Sequence, residues 1–254
     1  MKSVKQGTFH YKIISLLGVL ILRSFDFLVK LTTKNTALYE SEKYGFTKLL
    51  ESKKDIILEE YDNVKTTTAL AQVKDFYKVE KDIGQDNLWG GFPIVIYNYL
   101  FKENAAMCPV TYQTINHIPG CTAAMFSVLS PGKHILPHSG IYKGIIRGLF
   151  TIKVSNDKKC WISINKNKIY FKEGECILFD ETYEHEVVND SNEDRIVLYF
   201  DIYRKLPFPL NAFNNLIFHL LKKSPFIGNI PLNYQAIENI TIGEHTNLTK
   251  PIAF

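Results

Sequence analysis

Short apolar runs, each rich in β-branched and aromatic residues, recur through the second half of the chain and are separated by turn-forming clusters. Seven such runs predict strands over residues 124–129, 144–154, 161–164, 168–171, 175–180, 185–188 and 196–203. Short strands at this regular spacing favour a β-sandwich or jelly roll over a parallel α/β sheet. We therefore predict a mainly β fold with flanking helices.

The segments on either side of these strands have helical periodicity instead. Apolar residues recur at helical spacing over residues 36–66, and the same period resumes over residues 210–223. Between the first helical segment and the strands, glycine and proline punctuate a stretch in which Trp89 is expected to pack over the later domain. The predicted organisation is an N-terminal apolar or amphipathic anchor segment (1–35), a helical and mixed portion (36–107), a β core (108–206) and a C-terminal helix and tail (207–254).

An apolar run near the N-terminus, residues 13–22, is bounded by basic residues. It is too short to cross a bilayer, which requires roughly 20 apolar residues. We interpret it as an anchor in the membrane interface, and an ordinary buried helix remains the alternative. No small-residue cleavage site follows it, so we do not expect a removed signal peptide. Lys222 and Lys223, which directly follow a second apolar run, likewise suit an anionic membrane surface.

The composition narrows the classes of partner and compartment. Charged residues make up 22% of the chain and the formal net charge is +4, so nothing indicates a nucleic-acid groove and we predict no nucleic-acid partner. The four cysteines are widely spaced and form no CxxC pair, which indicates neither a zinc knuckle nor a disulfide framework. A reducing compartment is therefore expected.

Two histidines are candidate metal ligands. His138 lies in HILPHSG, just after a turn, and His185 lies in FDETYEHEVVND, at the start of a predicted strand. In a jelly roll, two distant strands can bring such imidazoles to one mouth of the barrel. Imidazole suits iron, zinc or copper, and an iron oxygenase must keep coordination positions open. Taken singly, either histidine is more simply explained as a surface or core residue.

Two arginines lie within otherwise apolar strands. By strand parity, Arg195 shares a face with Val197 and Tyr199, and Arg147 shares one with Ile145 and Leu149. An unpaired buried charge is costly, so each guanidinium needs a partner. Two guanidinium groups facing one cavity would fit a dicarboxylate such as 2-oxoglutarate. The alternative is that each pairs with an internal acid, such as residue 201 or 180.

Several motifs together resemble a known enzyme family. The stretches FSVLSPGKHILPHSG, IIRGLFTIKV and YFKEGECILFDETYEHEVVNDSNEDRIVLYFDIYR are similar to the aspartyl/asparaginyl β-hydroxylase family of Fe(II)/2-oxoglutarate dioxygenases. The resemblance covers about residues 108–225. Within the family, the C-terminal pattern LPFPLNAFNNLIFHLLKKSPFI most resembles bacterial lipid A hydroxylases.

The resemblance implies a cupin-like double-stranded β-helix and assigns roles to individual residues. His138 and His185 match the iron ligands, and Gly140 stands where most 2-oxoglutarate oxygenases have a ligating aspartate. Arg195 matches the residue that pairs with the distal carboxylate of 2-oxoglutarate, with Ser127 beside it.

A third residue, Arg147, matches the arginine that faces the co-substrate end of the pocket. The chain departs from the family pattern nearby, because Leu149 replaces a usual histidine and Thr151 a usual glycine. This departure puts one polar contact to the co-substrate in question. The acids that flank the second ligand, at positions 180, 184 and 186, are expected to orient its ring or to remain solvated.

The function implied is hydroxylation of a C–H bond with Fe(II), 2-oxoglutarate and O2, on a lipid A acyl chain at the membrane. A second hypothesis is hydroxylation of Asp or Asn in a peptide, or of a small molecule. A third is a cupin-like binding protein without turnover, which only Leu149 supports. The expected location is the cytoplasm or the cytoplasmic face of the inner membrane, and the expected partners are a lipid or peptide substrate and a membrane surface.

Overall fold

Two antiparallel β-sheets face each other in this protein, with an apolar core between them and helices on the outer face of the larger sheet. A computed structural model describes residues 3–33, 35–76 and 86–237, with side chains from Gly18 onward and residue 226 omitted. Residues from both sheets share the inner core, among them Met125, Leu149, Ile162 and Val187. The site described below lies within this core.

The larger sheet has eight strands in the order β1-β10-β7-β12-β5-β3-β2, with β4 paired to β3. Its strands are β1 (Leu38–Tyr39), β2 (Ala71–Gln72), β3 (Trp89–Ile96), β4 (Tyr99–Leu100), β5 (Cys121–Leu129), β7 (Ile145–Lys153), β10 (Cys176–Phe179) and β12 (Arg195–Tyr203). All pairings are antiparallel.

The smaller sheet has four strands in the order β6-β11-β8-β9. They are β6 (Lys133–His138), β8 (Cys160–Ile164), β9 (Asn167–Tyr170) and β11 (His185–Asn189). From β5 onward the chain passes back and forth between the two sheets, which is the connectivity of a jelly roll. The predicted fold class, a mainly β double-stranded β-helix with flanking helices, is confirmed.

Helices cover the outer face of the larger sheet. The α2 helix (Gly45–Thr67) buries one row of side chains there, including Leu50, Ile57 and Tyr61 at helical spacing. Between α4 (Lys102–Met107) and α5 (Pro109–Asn116) the chain turns, and the buried carboxylate of Glu60 accepts bonds of 2.7 Å from two N–H groups of the first turn of α5. Because those N–H groups have no partner within the helix, Glu60 fixes α5 against α2. Shorter helices complete this part, namely a 3-10 turn (Ser41–Lys43) and α3 (Val73–Phe76).

Two further helices, α1 (Ser3–Thr32) and α6 (Leu210–Lys223), pack against each other and against the start of β7. Their inner residues form a separate apolar cluster that includes Phe25, Val29, Ile217 and Phe218. The chain continues through α7 (Pro225–Gly228) and a helical segment over residues 230–237. Among the described residues, no helix has the length and apolar character needed to cross a membrane.

The strand prediction missed β3, β6 and the two-residue strands β2 and β4, and it placed the short strand β1 within a helical segment. The β3 strand contains Gly90, Gly91 and Pro93, residues that are rare in strands, so its apolar pattern was hidden. Gly91 is required there because a Cβ atom would lie 2.9 Å from Val73 Cγ2. Pro93 is tolerated because the register of β3 with β5 shifts just after it.

Candidate active site

The two predicted metal ligands lie side by side. His138 ends β6 and His185 begins β11, and the two are direct partners in the ladder between these strands. Their ring centroids are 4.2 Å apart. The Nδ1 atoms lie 2.7 Å from the carbonyl oxygen of Leu136 and 2.9 Å from that of Tyr183, respectively. A carbonyl oxygen can only accept, so each Nδ1–H donates and each Nε2 keeps a free lone pair for a metal ion.

The protonation state of both rings suits metal binding. Burial lowers the pKa of His138 below its ordinary value. Burial and the neighbouring imidazole lower the pKa of His185 to about 3. Both rings are therefore neutral at pH 7, as metal ligation by imidazole requires.

The rings are oriented by the main chain and not by the acids that flank His185 in the sequence. Asp180 is fully buried, but its partners are Lys143 and Arg204. Glu186 lies 2.8 Å from a different histidine, His134. Among the described residues, no third histidine, cysteine, aspartate or glutamate joins the two ligands in a metal-binding group.

The position of the aspartate usual in related oxygenases is filled in another way. A Cβ atom at Gly140 would lie 2.5 Å from Cδ of Glu181, and the Gly140 N–H donates to the Glu181 carbonyl at 2.7 Å. The Glu181 side chain is also ion-paired with Arg147. A side chain at position 140 and the present position of Glu181 are therefore incompatible.

One cavity between the two sheets brings together every residue predicted for the site. His138, His185, Arg147, Arg195 and Ser127 all line it. The remaining lining residues are mainly apolar: Val73, Trp89, Met125, Ile135, Leu149, Ile162, Phe179, Val187 and Tyr199. The wall is suited to excluding water from the metal position.

Arg195 is a buried guanidinium with no acid beside it. Its side chain is 2% exposed, and no ion pair connects it with any carboxylate of the described residues. Its Nε has no hydrogen-bond partner, and the group lies 5.2 Å from the ring centroid of Phe171. Burial lowers the pKa of Arg195 to about 10, so the group is still charged at neutral pH. A buried cation in this state is a ready receptor for a carboxylate.

Ser127 lies on the same face of the sheet as Arg195. In the ladder of β5 with β12, Leu129 pairs with Arg195 and Ser127 pairs with Val197. The side chains of Ser127 and Arg195 therefore point to the same, inner face of the sheet. Trp89 Nε1 donates to Ser127 Oγ at 3.0 Å. The Ser127 hydroxyl hydrogen is therefore free to donate to an anion held by Arg195.

Arg147 lines the same cavity, but its charge is already balanced. Its Nε and Nη2 donate to the carboxylate of Asp201 at 3.0 and 3.2 Å, and it also pairs with Glu181. The ring of Tyr199 lies 4.6 Å below the guanidinium carbon. Pairing with an internal acid was the open alternative, and the structure has it at Asp201. The second guanidinium that was predicted to bind a carboxylate of the diacid is thus already paired. A contact between Arg147 and the co-substrate stays a prediction.

Sequence analysis missed several residues of the site. Trp89 was expected only to pack over the core, whereas it supports Ser127 inside the cavity. Tyr199 was placed on the strand face of Arg195, but no role in the site was assigned to it. No sequence pattern indicated the role of Glu181. Leu149 lies inside the cavity opposite Tyr199, so the departure from the family pattern falls in the site itself.

The fold and the paired imidazoles define a jelly-roll protein with a candidate metal-binding pair of histidines. A family model described as aspartyl/asparaginyl beta-hydroxylase matches residues 51–205, and the chain belongs to this family. The resemblance found in the sequence is thereby confirmed.

Individual relatives differ in the substrates that their names give. Over 197 residues, 76% of this chain, it is 30% identical to the ornithine lipid ester-linked acyl 2-hydroxylase of Rhizobium tropici and covers 69% of that protein. It is 27% identical over 117 residues to the aspartyl/asparaginyl beta-hydroxylase of Homo sapiens, which is 40% of this chain and 14% of the human protein. A solved prolyl-4-hydroxylase from Pseudomonas putida is similar over 60% of this chain and 88% of its own, with 11% identity and a TM-score of 0.38.

Proposed function

We propose that this protein is an Fe(II)- and 2-oxoglutarate-dependent dioxygenase that hydroxylates a C–H bond in an acyl chain of a membrane lipid. The observation that carries the proposal is the pairing, inside one cavity, of two neutral imidazoles with a buried guanidinium that forms no ion pair with any acid in the described part of the chain. Few other functions would need both a metal-binding pair and a deep receptor for a carboxylate.

The residues present fit the proposed metal and co-substrate. His138 and His185 would hold the iron through Nε2, and positions not filled by protein would remain for co-substrate and O2. Arg195 and Ser127 would hold the distal carboxylate of 2-oxoglutarate. When bound, the iron and co-substrate supply the oxidation, in which one oxygen atom of O2 enters the C–H bond and the other enters succinate as CO2 is released.

The chain itself would contribute orientation and a dry site. The carbonyls of Leu136 and Tyr183 fix the planes of the two rings. Arg147, paired with Asp201 and Glu181, would line the cavity with its charge already compensated by internal acids. The apolar wall, Leu149 included, would keep water away from the reacting atoms.

Two observations favour a lipid acyl chain as the substrate. The cavity wall is mainly apolar, and the relative that matches over three quarters of this chain is named as an acyl hydroxylase of ornithine lipid. The C-terminal motif points to lipid A within the same chemical class. We also propose that the protein works at the cytoplasmic face of the inner membrane, in line with its four free cysteines.

The second candidate is hydroxylation of Asp or Asn side chains, which the name of the human relative favours. One experiment separates the candidates. Purified protein is incubated with Fe(II), ascorbate and 2-oxoglutarate, and with lipid A, ornithine lipid or an Asp-containing peptide in separate reactions. Mass spectrometry should find one added oxygen in a lipid, with an equal amount of succinate, and neither in His138→Ala or His185→Ala. Oxygen in the peptide alone would support the second candidate.

The same assay tests the binding-protein hypothesis based on Leu149. Equal, low succinate formation in wild type and in both histidine variants would show that the protein has no turnover. That result would overturn the proposed function.

A further inference from the structure

Helices α1 and α6 carry apolar side chains on two opposite faces. The inner faces form the cluster with Phe25, Val29, Ile217 and Phe218. On the outer face of α6, Phe213, Leu216 and Leu220 recur at i, i+3 and i+7. A surface helix of a soluble domain normally places polar residues there, and a helix that is apolar all round is normally covered on every side.

The outer residues form a set of eleven large apolar side chains, which we call the exposed apolar surface. Its members are Val19, Leu20, Ile21, Phe27, Leu28, Leu31, Ile141, Phe208, Phe213, Leu216 and Leu220. Exposure reaches 67% at Leu31 and 88% at Phe208. Single exposed apolar residues need no explanation, but a set this large, with nine of its eleven members on two packed helices, marks an interaction site.

This surface is connected to the active site through the segment that follows the ligand His138. The segment after the ligand His138 is held between the two helices, because the ring of Tyr142 stacks on Phe25 at 5.7 Å and its hydroxyl bonds to Asn214 of α6. Asp26 of α1 accepts a bond of 2.8 Å from the Lys143 N–H. Ile141, in the same segment, is 57% exposed.

The charges at the edges of the surface have one sign. Arg23 and Lys30 of α1 are exposed, and so are Lys205, Lys222 and Lys223 around α6. Within residues 18–33 and 204–223 the only acid is Asp26, and it is engaged with the Lys143 segment. An apolar face bordered by cations is the pattern of a helix that lies in the interface of an anionic membrane.

We propose that the exposed apolar surface docks on an anionic phospholipid bilayer and so opens the active-site mouth toward the acyl chains. This inference rests on the proposed function, since it names the surface through which that site reaches its substrate. A second copy of the chain is a poorer occupant, because self-association would bring five cations of one subunit against the same five of another.

Vesicle flotation of the full chain tests the docking. The vesicles are phosphatidylcholine alone or phosphatidylcholine mixed with phosphatidylglycerol. The test variants are Leu216→Glu/Leu220→Glu on α6 and Phe27→Glu/Leu31→Glu on α1. The matched control is Ile56→Glu/Tyr170→Glu, which changes two apolar residues of 41% and 40% exposure on other elements. All these side chains are exposed, so thermal unfolding should be nearly unchanged.

Wild type should bind the mixed vesicles more tightly than the neutral ones, and less tightly at high salt. Each test variant should lower the apparent partition coefficient at least about tenfold, while the control stays within about twofold of wild type. Hydroxylation of lipid in vesicles should fall with binding in the test variants. Hydroxylation of detergent-dispersed lipid should be the same in the test variants as in wild type.

The failures can be told apart. If detergent-dispersed lipid is hydroxylated but wild type does not bind vesicles, the docking is wrong and the proposed function stands. If vesicles are bound as expected but no lipid is oxidised, the docking stands and the function is wrong. Equal binding by test and control variants would overturn the assigned surface. The assigned surface would also be overturned if the wild type forms a dimer that the α6 variant dissociates and does not bind vesicles.

Discussion

Arg195 gives the sharpest test of the site, because replacing it should affect folding and co-substrate binding in opposite directions. The perturbation is Arg195→Met, which keeps an apolar chain of similar length and removes the charge. In the folded protein without co-substrate, burial lowers the pKa of Arg195 to about 10 from 12.5. A lowered pKa of a cation means that its charged form is less stable in the folded state at every pH below about 10.

The difference between the lowered and the ordinary pKa of Arg195 corresponds to about 3 kcal/mol of unfolding free energy, at 1.36 kcal/mol per pKa unit. The variant without ligand should therefore unfold at the same or a higher temperature than wild type. For 2-oxoglutarate, removing one partner of a buried, hydrogen-bonded charge pair costs about 2–5 kcal/mol. The KM for 2-oxoglutarate should accordingly rise roughly 30- to 5000-fold.

The control is Arg147→Met, at a guanidinium that does have acid partners. Removing it leaves the carboxylates of Asp201 and Glu181 buried without their cation, and this should cost about 3–5 kcal/mol of stability. Differential scanning fluorimetry and succinate-release kinetics measure both effects. The reasoning fails if Arg195→Met lowers the unfolding temperature as much as Arg147→Met does, or if it leaves the KM for 2-oxoglutarate unchanged.

Four further outcomes follow from the structure. Because the pKa of His185 is lowered to about 3, the affinity for Co(II), followed by visible absorption, should change little between pH 7 and about 6. His185→Ala should abolish Co(II) binding. A tenfold loss of affinity in the wild type at pH 6 would contradict this prediction. Gly140→Asp should displace Glu181 and lower stability by about 1–3 kcal/mol in thermal unfolding, without a gain in turnover. Trp89→Phe removes the bond to the serine hydroxyl, and should raise the KM for 2-oxoglutarate about fivefold with little change in kcat. Burial raises the pKa of Asp26 to about 6 from 3.8, so the free energy of unfolding should rise as pH falls from about 6 to about 4. Urea titrations of Asp26→Asn should no longer show this pH dependence.

The strands that were predictable are those in which burial on both faces leaves long apolar runs, such as β5, β7 and β12. The β3 strand was not predictable, because Gly90, Gly91 and Pro93 are individually typical of loops. Gly91 is explained only by its close approach to Val73, and Pro93 by the register shift that follows it. Helical spacing correctly indicated α2 and α6.

The main residues of the site could be predicted from the sequence, but the ion pairs that they form could not. Strand parity placed Arg195 and Tyr199 on one face of β12, and the structure has both in the cavity. Whether an internal acid neutralises a given arginine depends on which strands become neighbours. Arg147 and Asp201 are opposed because β7 pairs with β12, and Glu181 reaches the same group from a connecting loop. No local pattern in the sequence carries that information.

The main-chain carbonyls that orient the two imidazoles have a consequence for metal chemistry. Leu136 and Tyr183 provide these acceptors through backbone atoms, which neither titrate nor change when a side chain is replaced. The ring planes are therefore set by the backbone of β6 and of the turn before β11 before any ion arrives. Cobalt, nickel or zinc should enter the same preorganised pair of nitrogens, and inhibition by such ions should be competitive with iron and reversible by a chelator, without any refolding step.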